Sequence, residues 1–286
     1  MMKSMAVIFV APFLVTSVTA IADVSINSND GSSLFFSGKL TGENIDNNAW
    51  GKLYYISESK KVELSLQDRY YLENDAGSIS KKSPTGNYIL FYSVSGEMVS
   101  LGDGTEKYVD RAYCSVIDMR NGCIVSDWDG EACGYDWVKS KDVLASSEDK
   151  GAEVFDFKVM RPSINIKSTP QVIANKSSLE NMLRCDPLNK TNVDIYQLFL
   201  KANKEYSSTI KESMLDYLRS LSEKEVKNKS MLFSNSNENS QSKAYLIAGD
   251  KVRVIQASAD GRWVNIGYIN KKNNPLIAWI EAVNLR

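Results

Sequence analysis

The spacing of hydrophobic residues changes twice along this chain. Between Ser37 and about Phe157, apolar positions come in short runs dense in aromatic and β-branched side chains: Lys52-Leu-Tyr-Tyr-Ile-Ser, Asn87-Tyr-Ile-Leu-Phe-Tyr-Ser-Val and Arg111-Ala-Tyr-Cys-Ser-Val-Ile-Asp. Runs of this kind, broken at Ser83-Pro-Thr-Gly, Gly102-Asp-Gly and Asn121-Gly122, predict strands joined by turns. Further on the period lengthens. Ile195, Leu198, Phe199, Ala202 and Tyr206 recur at helical spacing, as do Ile210, Met214, Tyr217, Leu218 and Leu221. Ser177-x-x-Glu180 and Thr191-x-x-Asp194 have the form of capping boxes, so helices are expected to start there. The last helix should run from about Ser208 to Lys227, roughly 30 Å. It either packs along the sheet domain or frays into a tether in the charged stretch Ser222-Glu-Lys-Glu-Val-Lys-Asn-Lys. Both apolar stripes read as core-facing, because such a face normally finds cover inside its own chain.

Asn121-Gly122 predicts a two-residue type I′ hairpin, since both residues tolerate positive φ. Arg120 would then face Cys123 and Cys114 would face Asp129, leaving Cys114 and Cys123 on one sheet face but too far apart to bond. Four cysteines, Cys114, Cys123, Cys133 and Cys185, allow three pairings. The hairpin favours Cys114 with Cys133, leaving Cys123 to reach Cys185 in the helical piece. Metal binding is the rival reading, but the spacing lacks a C-x₂-C clip and the chain has no histidine to complete a mixed site.

At the N-terminus, Lys3, an apolar run from Met5 to Val18 and Ala20-Ile-Ala22 have the three parts of a secretory signal. Cleavage is expected near Ala22. The run of about 14 residues is shorter than the roughly 20 that span a bilayer, and no later stretch is apolar enough, so no transmembrane anchor is expected. An exported location, periplasmic or secreted, agrees with paired cysteines. Without the first 22 residues the chain carries 33 basic against 35 acidic residues. That balance argues against nucleic acid, whose phosphates require a clustered basic surface.

With no histidine, neither Ser-His-Asp nor Cys-His catalysis can be assembled. A glycosidase using carboxylates alone remains chemically open. Asp127-Trp128-Asp129-Gly130-Glu131 is the dense carboxylate cluster beside an aromatic ring. Its plain reading is a solvated turn. A calcium site on Asp127, Asp129 and Glu131 is a weaker alternative, because a calcium loop supplies more oxygens at fixed positions. No cofactor is expected.

The last 55 or so residues carry a further pattern: Ala244-Tyr-Leu-Ile-Ala-Gly-Asp-Lys-Val-Arg-Val-Ile, Asp260-Gly-Arg-Trp-Val-Asn-Ile-Gly-Tyr-Ile and Ala278-Trp-Ile-Glu-Ala-Val-Asn-Leu. In strand order and tryptophan placement this resembles the bacterial SH3-like domain family, over about a fifth of the chain. The resemblance implies a small β-barrel with its diverging turn at Gly249-Asp250 and its distal turn at Ser258-Ala-Asp-Gly261. Trp263 would open the strand after the distal turn, and Trp279 would lie in the strand before a final one-turn helix. Trp263, Tyr268, Tyr245 and Trp279 are the candidate binding residues, each to be weighed against core packing in so small a barrel. The loop Lys271-Lys-Asn-Asn-Pro275 lacks the glycine often found before the last tryptophan strand of that family. The cysteine and zinc wall hydrolases that often carry such modules need a histidine, which this chain lacks.

The sequence therefore predicts an α+β, mostly β protein: a signal peptide (1–22), an antiparallel, disulfide-containing β domain (23–165), a helical spacer (166–229) and an SH3-like small barrel (230–286). The expected function is an exported, non-enzymatic binder of a protein partner in the cell envelope, in concrete form an immunity or inhibitor protein against a toxin. A peptidoglycan-binding wall protein is the alternative, and a carboxylate-dependent wall hydrolase the second alternative.

Overall fold

The computed structural model describes residues 23–42, 45–64, 66, 68–129, 133–146, 153–164, 176–202 and 207–286. The proposed signal lies outside them. A nine-stranded antiparallel sheet comes first. Its main path runs β1 (Val24–Asn27), β2 (Ser33–Lys39), β3 (Ala49–Ser57), β5 (Tyr70–Leu72), β7 (Tyr88–Ser100), β8 (Glu106–Asp118), β9 (Cys123–Asp129). Two short strands flank it, β4 (Lys60–Glu63) on β3 and β6 (Lys81–Lys82) on β7. The run Tyr-Ile-Leu-Phe in β7 is continuously apolar because both faces are covered: Ile89 and Phe91 point into one core and Tyr88 and Leu90 into another. The first core packs Phe36, Trp50 and Tyr55 of β2 and β3 with Ile117 of β8. The Tyr55 hydroxyl, on β3, donates to the Met119 carbonyl between β8 and β9 at 2.9 Å.

On the opposite face a small sheet of β10 (Tyr135–Trp137), β11 (Leu144–Ser146) and β12 (Val154–Phe155) covers the cysteines. Phe157 wedges edge-on between Tyr88 and Trp137, at centroid distances of 5.0 and 5.6 Å. Both expected disulfides are present: Cys114–Cys133 with Cα atoms 5.4 Å apart, and Cys123–Cys185 with Cα atoms 4.8 Å apart. The expected turn is not the one that forms. Asp118 pairs with Cys123, so four residues, Met119 to Gly122, make the connection, and a bulge places Trp128 opposite Cys114. Of these four only Gly122 takes positive φ, at 75°, with the Tyr55 ring packed where a side chain would stand. That ring and the Gly122 amide bond to the Asp118 carbonyl (2.9 Å) select the longer loop. The pairing inference survives because Cys114 and Asp118 are still four residues apart on β8, about 13 Å.

Three helices follow: α1 (Lys176–Cys185), α2 (Val193–Ala202) and α3 (Ser207–Arg219). The stripe expected on α3 is correct, with Ile210, Met214 and Leu218 buried. That on α2 is rotated: Leu198 is exposed, while Val193, Tyr196 and Phe199 are buried and Tyr206 lies outside the described residues. Tertiary cover, not amphipathic spacing alone, set that face. Thr191 does not cap α2, because its amide and hydroxyl both donate to Asn189 Oδ1. Nor does α3 run on to Lys227. Glu223–Glu225 forms β13, where Glu223 bonds Lys251 and Arg253 across the strand pair at 2.9 Å each.

The C-terminal sheet has six strands in the order β13, β16 (Lys251–Ala257), β17 (Trp263–Ile269), β18 (Pro275–Glu281), β14 (Ser230–Phe233), β15 (Gln241–Leu246). The strand path is open, with β13 and β15 at its ends, and no closed barrel is seen among the described residues. One face packs on the helices, joining Leu218, Met214 and Tyr196 to Ile255 and Ile277. The other holds Leu232, Val252, Ile266 and Ile280.

Candidate interaction surfaces

The four rings singled out in the terminal sheet do not converge. Trp263 is only 3% exposed and sits edge-to-face on Phe233, with centroids 4.7 Å apart. It is a core residue. Strand pairing puts Asn265 and Trp279 opposite each other on the face shared with Ile277, whereas Tyr268, opposite Leu276, belongs to the other face. Trp279 is half-buried and Tyr245 is 51% exposed, under the Lys229 ammonium at 4.4 Å.

Asp127 lies in strand β9 rather than in a turn. Cross-strand partners on β8 outweigh its local preference, and its carboxylate accepts from Arg69 Nη1 at 2.9 Å and Ser115 Oγ at 2.7 Å. The Arg69 guanidinium in turn stacks 3.4 Å above Tyr113. Asp129 ends that strand, in register with Tyr113, and Glu131 lies outside the described residues. Among the described residues no cluster of three or more acidic or cysteine side chains could hold a metal ion.

Sequence reasoning missed the buried charges. Asp118, 1% exposed, accepts from Arg120 Nε at 2.8 Å and Nη2 at 2.7 Å, and from Arg161 Nη1 at 2.8 Å. Burial pushes its carboxyl up, but the two guanidinium groups outweigh this and hold it below the ordinary value. Arg161 also donates to the Cys185 carbonyl at 2.9 Å, linking this ion group to the second disulfide. Glu73, fully buried, accepts from the amides of Asn74, Ile79 and Ser80. These carboxylates are saturated by structural partners and brace loops.

Among the described residues, the outer half of the β7–β8 hairpin is not used internally by the sheet. The two strands pair over 13 residues each. β5 engages β7 only up to Val94, and β9 engages β8 only from Tyr113 onward. Ser95–Ser100 and Glu106–Ala112 therefore project beyond both neighbours among the described residues. Met98, Val99, Leu101 and Val109 are exposed there. At its base a groove of about 590 Å³ is lined by Ile45, Tyr70, Met98 and Tyr108. Burial, the Tyr108 hydroxyl and the carboxylates of Asp46 and Asp110 push the Tyr70 hydroxyl up to about 12. Gly96 is required here, since the Tyr108 ring occupies the space of any side chain at that position.

The chain matches no protein-family model, and no curated protein matches it.

Proposed function

We propose that this is an exported, non-enzymatic binding protein that recognises a protein partner in the cell envelope, as an immunity or inhibitor protein blocking a toxin would. The observation carrying this reading is the projecting β7–β8 hairpin, which exposes Met98 beside an apolar groove on one face, Val99 and Val109 on the other, and Leu101 at its tip. Soluble monomers seldom leave such a patch without a partner. Two disulfides and the Asp118 ion group hold the sheet that carries it, so recognition would cost little ordering of the chain. Bait protein incubated with a periplasmic extract should retain one stoichiometric protein. Met98→Asp with Tyr108→Ser should release it. Retention of wall fragments alone would count against the proposal.

A wall-binding role is the second reading, favoured by exposed Tyr245 and half-buried Trp279. It goes with an SH3-like assignment for the terminal region. The short 3-10 turn Ala282–Asn284 and the bridge from Val226 to Leu285 support that assignment. Sedimentation with purified sacculi, lost on Tyr245→Ala or Trp279→Ala, would favour it.

A further inference from the structure

We infer that the edge of β7 from Ser95 to Ser100, unpaired on the β5 side among the described residues, is completed by an extended, cationic segment of the protein partner, added as a strand antiparallel to β7. This rests on reading the hairpin as the recognition element. β5 already pairs antiparallel with β7 through Tyr70 and Val94. Before Tyr70, Asp68 turns with a φ of 54° and the Arg69 side chain is held by Asp127 and Tyr113; neither residue is part of a strand. Among the described residues no strand pairs with β7 on this side beyond Val94, and Gly96–Ser100 are exposed in line with an existing strand, the geometry in which a peptide adds to a sheet.

Charge chooses the occupant. On the groove face of the hairpin the cross-strand pairs are Gly96 with Asp110, Met98 with Tyr108 and Ser100 with Glu106; the basic residues Lys107 and Arg111 stand on the opposite face. Asp68 adds a further carboxylate to the groove wall. Arg69, the basic residue of that wall, is already paired with Asp127. The groove is therefore apolar at its floor and acidic at its rim. It suits an apolar side chain flanked two residues away on each side by lysine or arginine. A second copy of this chain fits poorly along the outer edge of β8. Symmetric pairing about Val109 would set Lys107 against Arg111, and pairing about Tyr108 would set Glu106 against Asp110.

The test is a titration of the ¹⁵N-labelled full chain with the blocked hexapeptide Lys-Thr-Leu-Thr-Lys-Thr. The controls are its Glu-for-Lys counterpart and a version N-methylated at alternate amides. The cationic peptide should shift the amides of Ser95–Ser100, bind about tenfold more tightly than the acidic one, and weaken with added salt. N-methylation should abolish the shifts, and the exposed-site variant Asp110→Lys should weaken binding without disturbing other resonances. Equal binding of the N-methylated peptide, equal binding of the acidic peptide, or no shift at Ser95–Ser100 would overturn strand addition. If the extract experiment still retains a partner in those cases, recognition stands and only the mode falls. If the peptide binds as described and no protein is retained, the reading of the whole protein as a partner binder fails instead.

Discussion

Asn181 makes two hydrogen bonds to the backbone of a single residue: its Oδ1 accepts from the Ile124 amide at 2.8 Å and its Nδ2 donates to the Ile124 carbonyl at 2.9 Å. A side-chain amide on α1 thereby substitutes for a neighbouring strand at the outer edge of β9, and it covers an edge that would otherwise invite foreign pairing. Arg184, one helical turn along, donates from Nε to the Gly122 carbonyl at 2.9 Å. Its guanidinium is largely desolvated, which lowers its pKa to about 10 and leaves it charged at neutral pH.

Replacing Asn181 by Ala should strand both backbone groups of Ile124. The expected loss is about 2 kcal/mol, from the cost of leaving partly buried polar groups unpaired. Urea denaturation would measure it, and hydrogen exchange should accelerate at Ile124 more than at Phe91. Unchanged exchange at Ile124 would show that another group takes over.

The two disulfides should differ in worth. Chain-entropy estimates give about 3 kcal/mol for Cys114–Cys133, which closes 19 residues, and about 4 kcal/mol for Cys123–Cys185, which closes 62. Double alanine replacement of the second pair should therefore lower the denaturation midpoint more. It should also loosen α1 from β9, read as protease cleavage near 176–185. The reverse ranking would mean that the three-strand layer depends on its crosslink more than the helix does.

Acid should destabilise the fold through Asp118. Its folded pKa lies below the ordinary aspartate value, so its contribution is complete above the unfolded value of about 3.9 and is lost as pH falls through the folded one. Asp118→Asn should cost about 1–3 kcal/mol at neutral pH and flatten the stability curve below about pH 4. An acid limb of unchanged slope in the variant would assign acid unfolding to other carboxylates.

Gly267 is where α3 presses on β17, because a Cβ there would overlap the Leu218 side chain. Gly267→Ala should cost about 1–3 kcal/mol through overpacking. Adding Leu218→Ala should cost less than the two single changes summed, and strict additivity would disprove the contact.

Trp263→Ala should cost about 3–5 kcal/mol as a core truncation, whereas Tyr245→Ala should leave thermal stability nearly unchanged. A stable Trp263→Ala protein that had lost a ligand would reverse this assignment.

Strand-rich and helix-rich regions, the α3 stripe, the terminal β sheet and both disulfides were legible in the sequence. The elements and the stripe rest on short-range chemistry, side-chain shape and period; the disulfides followed from the distance along β8 that keeps Cys114 from Cys123, and from elimination for Cys185. The exposed rings of the terminal region could be listed but not sorted, because burial of Trp263 depends on Phe233, 30 residues away, and the opposed faces of Tyr268 and Trp279 depend on register. Asp127 looked like part of a turn until Arg69 and Ser115 were brought to it by neighbouring strands. The hairpin groove left no signal at all, since Ile45, Tyr70, Met98 and Tyr108 are unremarkable residues at unrelated spacings. Periodicity reports which side chains avoid water. Only the packed chain decides which elements cover them, which charges find partners and which strand edges stay open, because those outcomes depend on contacts between segments far apart in sequence.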